Sequence, residues 1–275
     1  MRVLEWEEFI APGSRYPQQG PGADPPGLAV SIGVFDGVHR GHQRLIEKIV
    51  RHSAEHGSVP TVVTFKQSPR RLLRPDTWHG DIYSLKQKLA VLESLGVMES
   101  VLIDFSGNFS KITGREFVDL LKSRRRLDFL TIGANFRCGY RLDTDAAAIR
   151  DMNQRDGIIT EVVDQVLEEG QPVSSSRIRR AILAGDMAEA AGLLGRRFRI
   201  DLEEIPALNT GGMILYDPGA AGRILPPDGS YPVQIFRAGS ADSPGLNGGI
   251  KTAVSLEKGK LLIPSAFGGS SVEFL

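Results

Sequence analysis

The sequence has little cysteine, no excess of charge and no long apolar run. Its 275 residues include one cysteine, Cys138, which excludes an intramolecular disulfide and a metal site built from several cysteines. Lys+Arg and Asp+Glu number 33 each, so the formal net charge is zero. A general electrostatic attraction to nucleic acid or to an anionic membrane is therefore disfavoured. No apolar run approaches the roughly 18 residues of a transmembrane helix.

Two further patterns are missing. Glu5, Glu7 and Glu8 stand near the start of the chain, where a secretory signal peptide needs an apolar stretch. Disorder is disfavoured because 41% of the residues are hydrophobic and the net charge is zero. We therefore expect a globular cytoplasmic protein that acts without nucleic acid or membrane, with its oligomeric state left open. The arginine runs at 70–71 and 124–126 are interpreted as solvated charge.

Residues 28–163 alternate between apolar strand patterns and helical patterns. Strands are predicted at 28–35, 60–65, 100–105, 127–133 and 157–163, with helices at 43–50, 84–95, 113–122 and 146–154. Nearly continuous apolar strands separated by helices are typical of a parallel sheet covered on both faces. The sequence therefore predicts an α/β fold with a Rossmann-like, doubly wound parallel sheet, in which ligands bind at the carboxyl ends of the strands.

The composition changes near residue 199. Gly and Pro make up 19 of the 77 residues in 199–275, but 28 of the 198 residues before them. Long helices are disfavoured in this segment because Gly and Pro are the costliest residues inside a helix. Short apolar stretches at 231–236, 252–256 and 261–263 lie between turn residues and predict the strands of a smaller, barrel-like β domain.

The turn after the first predicted strand is the strongest candidate site. Residues 33–42 read GVFDGVHRGH, and a helix beginning near Gly41 would offer free N–H groups and the positive end of its dipole to an anion. His39 and His42 are three residues apart, which places both imidazoles on one side of a helical turn. Two neutral imidazole donors at a helix start indicate a polyphosphate ligand. A metal half-site is disfavoured because the other histidines lack a matching spacing.

This turn also resembles a known signature. His-x-Gly-His after a first strand is the signature of the nucleotidyltransferase superfamily, and residues 33–42 are similar to the prokaryotic FAD synthetase family, usually bifunctional riboflavin kinase/FMN adenylyltransferases. The resemblance implies that residues of the turn bind ATP: Gly33, Phe35, Asp36, Gly37, His39 and His42.

Two more segments follow the ends of predicted strands. Residues 64–69 resemble the family's Thr-Phe-x-x-His-Pro, with Ser68 in place of the histidine, and imply flavin contacts from Phe65, Ser68 and Pro69. Residues 133–139 resemble Gly-x-Asp/Asn-Phe-x-Phe-Gly and imply flavin contact from Phe136. The amide of Asn135 suits a phosphate or a hydrated Mg²⁺, so the resemblance makes it the metal residue.

A fourth segment, residues 173–179, resembles Ile-Ser-Ser-Thr-x-x-Arg. Serines at a helix start cap free N–H groups or pass these donors to phosphate oxygens, which implies ATP contacts from Ser174, Ser175 and Ser176. Arg177 is matched to the family's arginine as the forked, charged donor to phosphate, and Arg179 is a second candidate. A plain capped helix is the alternative for this segment.

The tail lacks the marker of the second enzyme. In bifunctional members a riboflavin kinase β-barrel carries a Pro-Thr-Ala-Asn segment, and this string is absent here. Residues 226–233 resemble the barrel's Pro-x-x-Gly-x-Tyr-x-Val strand entry. We therefore expect an adenylyltransferase domain at 1–184, a helical linker at 185–198, and a reduced kinase-like β domain at 199–275 without kinase activity.

The resemblance covers about residues 28–198 and implies Mg²⁺-dependent transfer of AMP from ATP to FMN, giving FAD and pyrophosphate. It assigns catalysis to four residues: His39, His42, Asn135 and Arg177. Two alternatives stay open. One is a nucleotidyltransferase for another phosphorylated acceptor. The other is a flavin- or nucleotide-binding protein that has lost catalysis, which Ser68 and the shortened tail suggest.

Overall fold

The computed structural model describes residues 1–11, 25–105, 108–123, 125–237 and 249–275. These residues group into two compact units, each made of three separate segments of the chain. The first unit comprises Met1–Phe35, Gly41–Pro69 and Val91–Val166, and the second comprises Asp36–Arg40, Arg70–Ala90 and Leu167–Leu275.

Strands and helices alternate up to residue 163. In chain order they are β1 (Arg2–Glu5), α1 (Trp6–Ile10), β2 (Leu28–Ile32), α2 (Arg40–His56), β3 (Val59–Phe65), α3 (Pro69–Leu73), α4 (Leu85–Ser94), β4 (Glu99–Ile103), α5 (Gly114–Lys122), β5 (Leu127–Gly133), β6 (Arg137–Cys138), β7 (Thr144–Asp145), α6 (Ala146–Arg155) and β8 (Ile159–Val163). Short 3₁₀ turns lie at Asp36–Val38, Pro75–Thr77, Phe109–Lys111 and Tyr140–Leu142.

Six of these strands form one parallel sheet in the order β1-β4-β3-β2-β5-β8. β2 and β4 are buried along their whole length, as expected for strands covered on both faces. From β2 the chain continues to β3 on one side, whereas β5 lies on the other. The carboxyl ends of β2 and β5 therefore flank the point where the strand order reverses, which is where open α/β sheets bind ligands. The predicted Rossmann-like sheet is confirmed.

One strand of this sheet was not predicted. β1 pairs in parallel with β4, with Arg2 opposite Glu99 and Glu5 opposite Leu102. Its four residues carry too short a pattern to identify a strand, and the pairing with β4 decides it. The following helix α1 buries Trp6, whose ring stacks on Phe117 at 5.4 Å between ring centroids.

The interpretation of the arginine run 124–126 as solvated charge is wrong for Arg125. This side chain is buried and pairs with the fully buried Glu99, with 2.5 Å between Arg125 Nη1 and Glu99 Oε1. A buried carboxylate needs such a partner because desolvation of an isolated charge costs more than the fold can supply. Arg124 lies outside the described residues.

The rest of the chain forms a helical hairpin region and an antiparallel sheet. Its elements are β9 (Leu167–Glu168), β10 (Gln171–Pro172), α7 (Ser175–Leu183), α8 (Met187–Leu194), β11 (Arg199–Asp201), β12 (Ala207–Thr210), β13 (Met213–Tyr216), β14 (Gly229–Phe236), β15 (Ile250–Glu257), β16 (Lys260–Pro264) and β17 (Ser271–Phe274). A 3₁₀ turn lies at Ser265–Phe267.

Seven of these strands pair in the order β11-β17-β14-β15-β16-β13-β12, all antiparallel. The sheet is a curled half-barrel, which confirms the predicted barrel-like β domain. Alternate residues such as Val233, Ile235 and Val254 face its core. Strands β11, β12 and β13 were not predicted. In β12 every residue is exposed, so the sequence shows no apolar alternation there.

Among the described residues, the helices are too short or too polar for any of them to cross a membrane.

Candidate active site

Hydrogen bonds to β3 hold the backbone where the turn after β2 begins. The N–H of Gly33 donates to the carbonyl of Val63 at 3.1 Å, and the Thr64 hydroxyl donates to the carbonyl of Val34 at 3.0 Å. Phe35 then adopts φ +52° with its side chain fully buried, and its ring centroid lies 5.0 Å from that of His42. A predicted ATP residue and a predicted catalytic histidine therefore pack on each other.

Asp36 is buried and anchors a neighbouring segment. Its carboxylate accepts hydrogen bonds from the N–H groups of Ile82, at 3.0 Å, and Tyr83, at 3.2 Å. It also forms an ion pair with the guanidinium of Arg179. These contacts all lie within the second unit. Because the Asp36 side chain is bonded to three other residues, it holds this part of the turn in place.

Gly37 is required by its conformation and its surroundings. It has φ +76°, which disfavours a side chain. A Cβ there would lie 3.1 Å from the side chains of Ile82 and Leu194. The glycine therefore allows the turn to pack closely on these residues.

The start of helix α7 reaches the same turn. Ser174 is the N-cap, since its hydroxyl accepts from the N–H of Arg177 at 3.2 Å. The Ser175 hydroxyl donates to the backbone carbonyl of Asp36 at 3.0 Å. The Ser176 hydroxyl accepts from Arg70 at 3.3 Å. Two segments predicted to bind ATP, 139 residues apart in the chain, are therefore in direct contact.

His39 directly precedes α2 and is buried. Burial, and then the positive charge of Arg196, lower the pKa of its imidazole to about 4. The ring is therefore uncharged at neutral pH, as the prediction of a neutral donor requires.

Arg177 and Arg179 lie in different surroundings. Arg177 is buried; its Nε donates to Glu189 at 2.7 Å and its Nη1 donates to the carbonyl of Glu168 at 2.9 Å. These contacts tie it to the β9–β10 hairpin and to α8. Arg179 instead holds Asp36 and donates to the carbonyl of Gly80 at 2.9 Å. Of the two candidate arginines, Arg179 is the one in contact with the turn.

The loop after β5 carries the other predicted residues. Asn135 is exposed, while Phe136 is half-buried against the core of the parallel sheet, and its N–H donates to the carbonyl of Gly133 at 2.9 Å. Burial raises the pKa of the Cys138 thiol to about 12, so the thiol stays protonated and unreactive.

The predicted flavin residues lie at the end of β3 and directly after it. Phe65 is the last residue of β3, and its ring lies 5.9 Å from Phe105 and 6.3 Å from Phe109, centroid to centroid. Ser68 is buried, and Pro69 begins helix α3. Phe65 has an aromatic cluster behind it that would hold its ring in one orientation.

Residues 22–177 match the family model described as FAD synthetase, which is more than half of the chain. The chain belongs to the FAD synthetase family. The resemblance inferred from the sequence motifs is thereby confirmed, and with it the prediction that the chain is an enzyme of FAD synthesis.

Relatives of known function support this assignment. The bifunctional riboflavin kinase/FMN adenylyltransferase of Escherichia coli strain K12 is 27% identical over 224 residues, which covers 80% of this chain and 72% of the relative. The protein of the same name from Pseudomonas fluorescens is 31% identical over 175 residues, covering 63% of this chain and 56% of the relative. A crystal structure described as a macrolide-efflux protein from Streptococcus pneumoniae has a TM-score of 0.76 at 22% identity, covering 100% of this chain and 89% of that one, and supports the fold.

For this member of the FAD synthetase family, the structure brings together some predicted site residues and not others. In the first unit, Phe35 contacts His42. In the second unit, Asp36 contacts Ser175, while Arg177 contacts the β9–β10 hairpin. Sequence reasoning missed Arg196, which follows α8 and bonds to the turn. Residues 194–198 continue the family pattern in the sequence, but nothing in that pattern assigned Arg196 a role at the turn.

Within the described residues, no group of three or more His, Cys, Asp or Glu side chains could enclose an ion. Asn135 offers an exposed amide oxygen, a neutral ligand of the hard type that Mg²⁺ accepts. Protein sites for Mg²⁺ commonly use few side chains and take the remaining ligands from substrate phosphates and water. The exposed amide of Asn135 would fit a metal ion whose other ligands come from outside the protein.

Proposed function

We propose that this enzyme makes FAD by moving AMP from ATP to FMN, with Mg²⁺ as its metal ion and the His39–His42 turn on the nucleotide. The observation that carries the proposal is the contact between the Ser175 hydroxyl and the carbonyl of Asp36. It joins a histidine-bearing turn to a helix start, and helix starts bind phosphate groups.

The chemistry needs no covalent enzyme intermediate. A phosphate oxygen of FMN attacks the α-phosphorus of ATP in line, the new P–O bond joins FMN to AMP, and the bond to the β-phosphate breaks. The electron pair of that bond leaves with pyrophosphate. Catalysis then depends on holding two anions together and on stabilising the charge that develops on the leaving group.

The histidines supply neutral donors. A low pKa keeps the imidazole of His39 uncharged at neutral pH, so it donates one N–H to a phosphate oxygen. His42 is proposed as the second donor, with its ring supported by the buried ring of Phe35. Gly33 and Gly37 allow the backbone of the turn to approach the nucleotide.

Asn135 is proposed to hold Mg²⁺ or a phosphate oxygen through its amide. A magnesium ion bound with ATP would supply charge neutralisation between the phosphates. The hydroxyls of Ser174, Ser175 and Ser176 are proposed to turn toward phosphate oxygens when ATP is bound.

Arg177 is proposed to stabilise the leaving pyrophosphate, and Arg179 is the competing candidate. Because Arg177 is bonded to Glu189 and to carbonyls of the β9–β10 hairpin, its role requires an exchange of these bonds on ATP binding. Arg179 already contacts the turn. The variants Arg177→Ala and Arg179→Ala separate the two, with the exposed Arg180→Ala as the matched control. The arginine whose loss lowers kcat about 10²-fold or more while Arg180→Ala stays near wild type is the catalytic one.

The flavin is proposed to contact Phe65, Ser68, Pro69 and Phe136. Phe65 and Phe136 both have apolar packing behind one side of the ring. An aromatic face suits the isoalloxazine ring, which prefers offset stacking. A rise in KM for FMN, with KM for ATP unchanged, is expected for Phe136→Ala.

We also propose that catalysis belongs to residues 1–184, that 185–198 form a linker, and that the β domain at 199–275 is a reduced riboflavin kinase without kinase activity. The absence of a Pro-Thr-Ala-Asn string from the sequence motivates this. The cytoplasm, where ATP is abundant, is the proposed location, with ATP and FMN as the partners.

Product chromatography tests these proposals together. Purified protein is incubated with ATP and Mg²⁺, and with either FMN or riboflavin. We expect FAD and pyrophosphate from FMN, and no FMN from riboflavin. FMN formed from riboflavin would overturn the proposed loss of kinase activity. Absence of FAD from the FMN reaction, with binding of flavin retained, would favour a protein that binds its ligands without catalysis.

A further inference from the structure

Arg196 bonds to the catalytic turn from a distant part of the chain. It lies two residues after the end of α8, and its Nη2 donates to two consecutive backbone carbonyls, Gly37 at 2.5 Å and Val38 at 3.1 Å. Its Nε donates to the Tyr83 hydroxyl at 2.9 Å, and its Nη1 donates to the carbonyl of Leu194 at 3.2 Å. All three nitrogens of the guanidinium are therefore engaged.

The turn is one that needs external support. Val38 has φ +39°, a left-handed backbone conformation that a β-branched residue rarely adopts because of steric strain. Such conformations persist only where surrounding contacts determine them. The Val38 side chain is fully buried, so the turn cannot relax outward without exposing it.

Three successive carbonyls of the turn are each bonded by a side chain. Asp36 accepts from Ser175, and Gly37 and Val38 accept from Arg196. Because each peptide unit is planar, fixing these carbonyls fixes the backbone up to His39. Tyr83, whose ring lies 5.2 Å below the Arg196 guanidinium, is itself bonded through its N–H to the Asp36 carboxylate.

We propose that Arg196 is a positioning residue for adenylyl transfer, because its guanidinium fixes the Gly37–Val38 backbone and thereby sets where the His39 ring meets ATP. The inference rests on the role proposed above for His39. Lysine is a poor substitute at such a site, because its single ammonium lacks the rigid planar fork that serves two carbonyls and a hydroxyl at once. The positive charge of Arg196 also contributes to the low pKa of His39.

The test measures kcat and KM for both substrates in Arg196→Met and Arg196→Lys. Arg196→Met keeps the apolar stem, and we expect kcat to fall about 10- to 100-fold with KM for FMN within about 3-fold of wild type, because small misplacements of a reacting group cost this much. Arg196→Lys should recover only part of the loss. Arg197→Met is the matched control, because the side chain of Arg197, next to Arg196 in the chain, is half-exposed and pairs with Glu273. The kcat of this variant should equal that of wild type.

A readout on the His39 ring separates positioning from general stability. The imidazole is labelled with ¹⁵N, and its pKa is followed by NMR in wild type and in Arg196→Met. The proposal predicts a higher pKa for His39 in the variant, together with a changed ring shift, while the spectrum of His79 in the same sample is unchanged. If Arg196→Met does not fold, Arg196→Lys serves for the same comparison, and added methylguanidine should raise the kcat of Arg196→Gly.

His39→Gln distinguishes the proposed role of His39 from the positioning role of Arg196. If His39→Gln and Arg196→Met both lower kcat and the double variant is no worse than His39→Gln, the positioning role is supported. If His39→Gln lowers kcat and Arg196→Met leaves it unchanged, the positioning role is overturned and the proposed function stands. A wild-type kcat in His39→Gln would remove the proposed role of the histidine and this inference with it.

Discussion

Two turns that follow strands of the parallel sheet hold residues in the same unfavourable conformation by different means. After β2, Phe35 and Val38 have positive φ angles of +52° and +39°. After β5, Arg141 and Leu142 have +56° and +59°. None of the four is glycine, so both turns carry backbone strain of the kind that concentrates at functional sites.

The turn after β2 is buried and held by charged side chains. Arg179 pairs with Asp36, and Arg196 bonds to the carbonyls of Gly37 and Val38. The loop after β5 is exposed, with 47% of Tyr140 and 56% of Leu142 accessible. It is held by the N–H of Tyr140, which donates to Ile112, and by Asp143, which accepts from the N–H of Gly114.

The two turns therefore differ in how firmly their backbones are held. The buried Asp36–Arg179 ion pair holds the turn after β2 in one geometry, since breaking it leaves a desolvated charge. Single hydrogen bonds such as those that hold the loop after β5 are each worth about 1 kcal/mol, and the exposed Asp143 side chain can exchange its bond with water. We therefore expect the turn after β2 to be fixed before substrate binds, and the loop after β5 to adjust when a ligand arrives.

The largest effect is expected from Asp36→Ala. Removing the carboxylate leaves Arg179 buried without its partner and takes the acceptor from two N–H groups, so the free energy of unfolding should fall by about 3–5 kcal/mol. Urea unfolding followed by circular dichroism measures it. A loss below 1 kcal/mol would show that the turn is not held by this ion pair.

Acid should weaken the buried turn next. The pKa of His39 is about 4 in the folded protein and near its ordinary value of 6.5 in the unfolded chain. Between these two pH values the unfolded chain binds a proton on His39 and the folded protein does not. The contribution of His39 to stability is complete above pH 6.5 and is lost as the pH falls toward 4, by up to about 3 kcal/mol. Urea midpoints between pH 7 and pH 4, compared with those of His39→Gln, isolate this part from His52, whose pKa is also lowered. Equal pH dependence in the two proteins would contradict the assignment.

A smaller effect is expected from Asp143→Ala in the exposed loop. The variant loses the acceptor for the Gly114 N–H, at 3.0 Å, and for the Thr144 hydroxyl, at 2.9 Å. Gly114 and Thr144 are buried, but the accepting side chain of Asp143 is exposed to water, so the free energy of unfolding should fall by only about 1–2 kcal/mol. The same urea assay measures it. A loss as large as that of Asp36→Ala would erase the contrast between the two turns.

The smallest effect, and one of opposite sign, is expected from Leu142→Gly. Glycine adopts positive φ without steric cost, and the exposed leucine side chain contributes little burial, so the variant should be as stable as wild type or up to about 1 kcal/mol more stable. Its melting temperature measures this. In the buried turn, Val38→Gly is the comparison: it should destabilise the protein, since a fully buried side chain is removed.

The sequence predicted the parallel sheet well for a physical reason. Strands β2 to β5 are largely apolar runs, β8 is a shorter and more mixed one, and all are separated by helical periods and by turn residues with strong local preferences. Thr113 and Asp145 cap their helices through side chains visible in the sequence. β1 and β12 escaped prediction because a four-residue strand is determined by the strand beside it.

Only those parts of the candidate site that lie in local sequence motifs could be predicted. The Gly-rich turn, the serine cap of α7 and the segment after β5 each carry local signals. The partners of Asp36 do not, since Ile82, Tyr83 and Arg179 are brought to it by tertiary structure across 46 to 143 positions of the chain. Arg125 shows the same limit, because no local pattern indicated that it would be paired with Glu99 in the interior.

The separation of these contacts along the chain has a consequence for synthesis. The turn at Asp36–Val38 leaves the ribosome early, but Ser175, Arg179 and Arg196 follow only after about 140 to 160 further residues. At 5–20 residues per second, this is a delay on the order of 10 s or more. The parallel sheet can pair in that time, while the strained turn waits for its last partners. A nascent chain can thus acquire its folded parallel sheet first, and the fully bonded Asp36–Val38 turn only after Arg196 has been made.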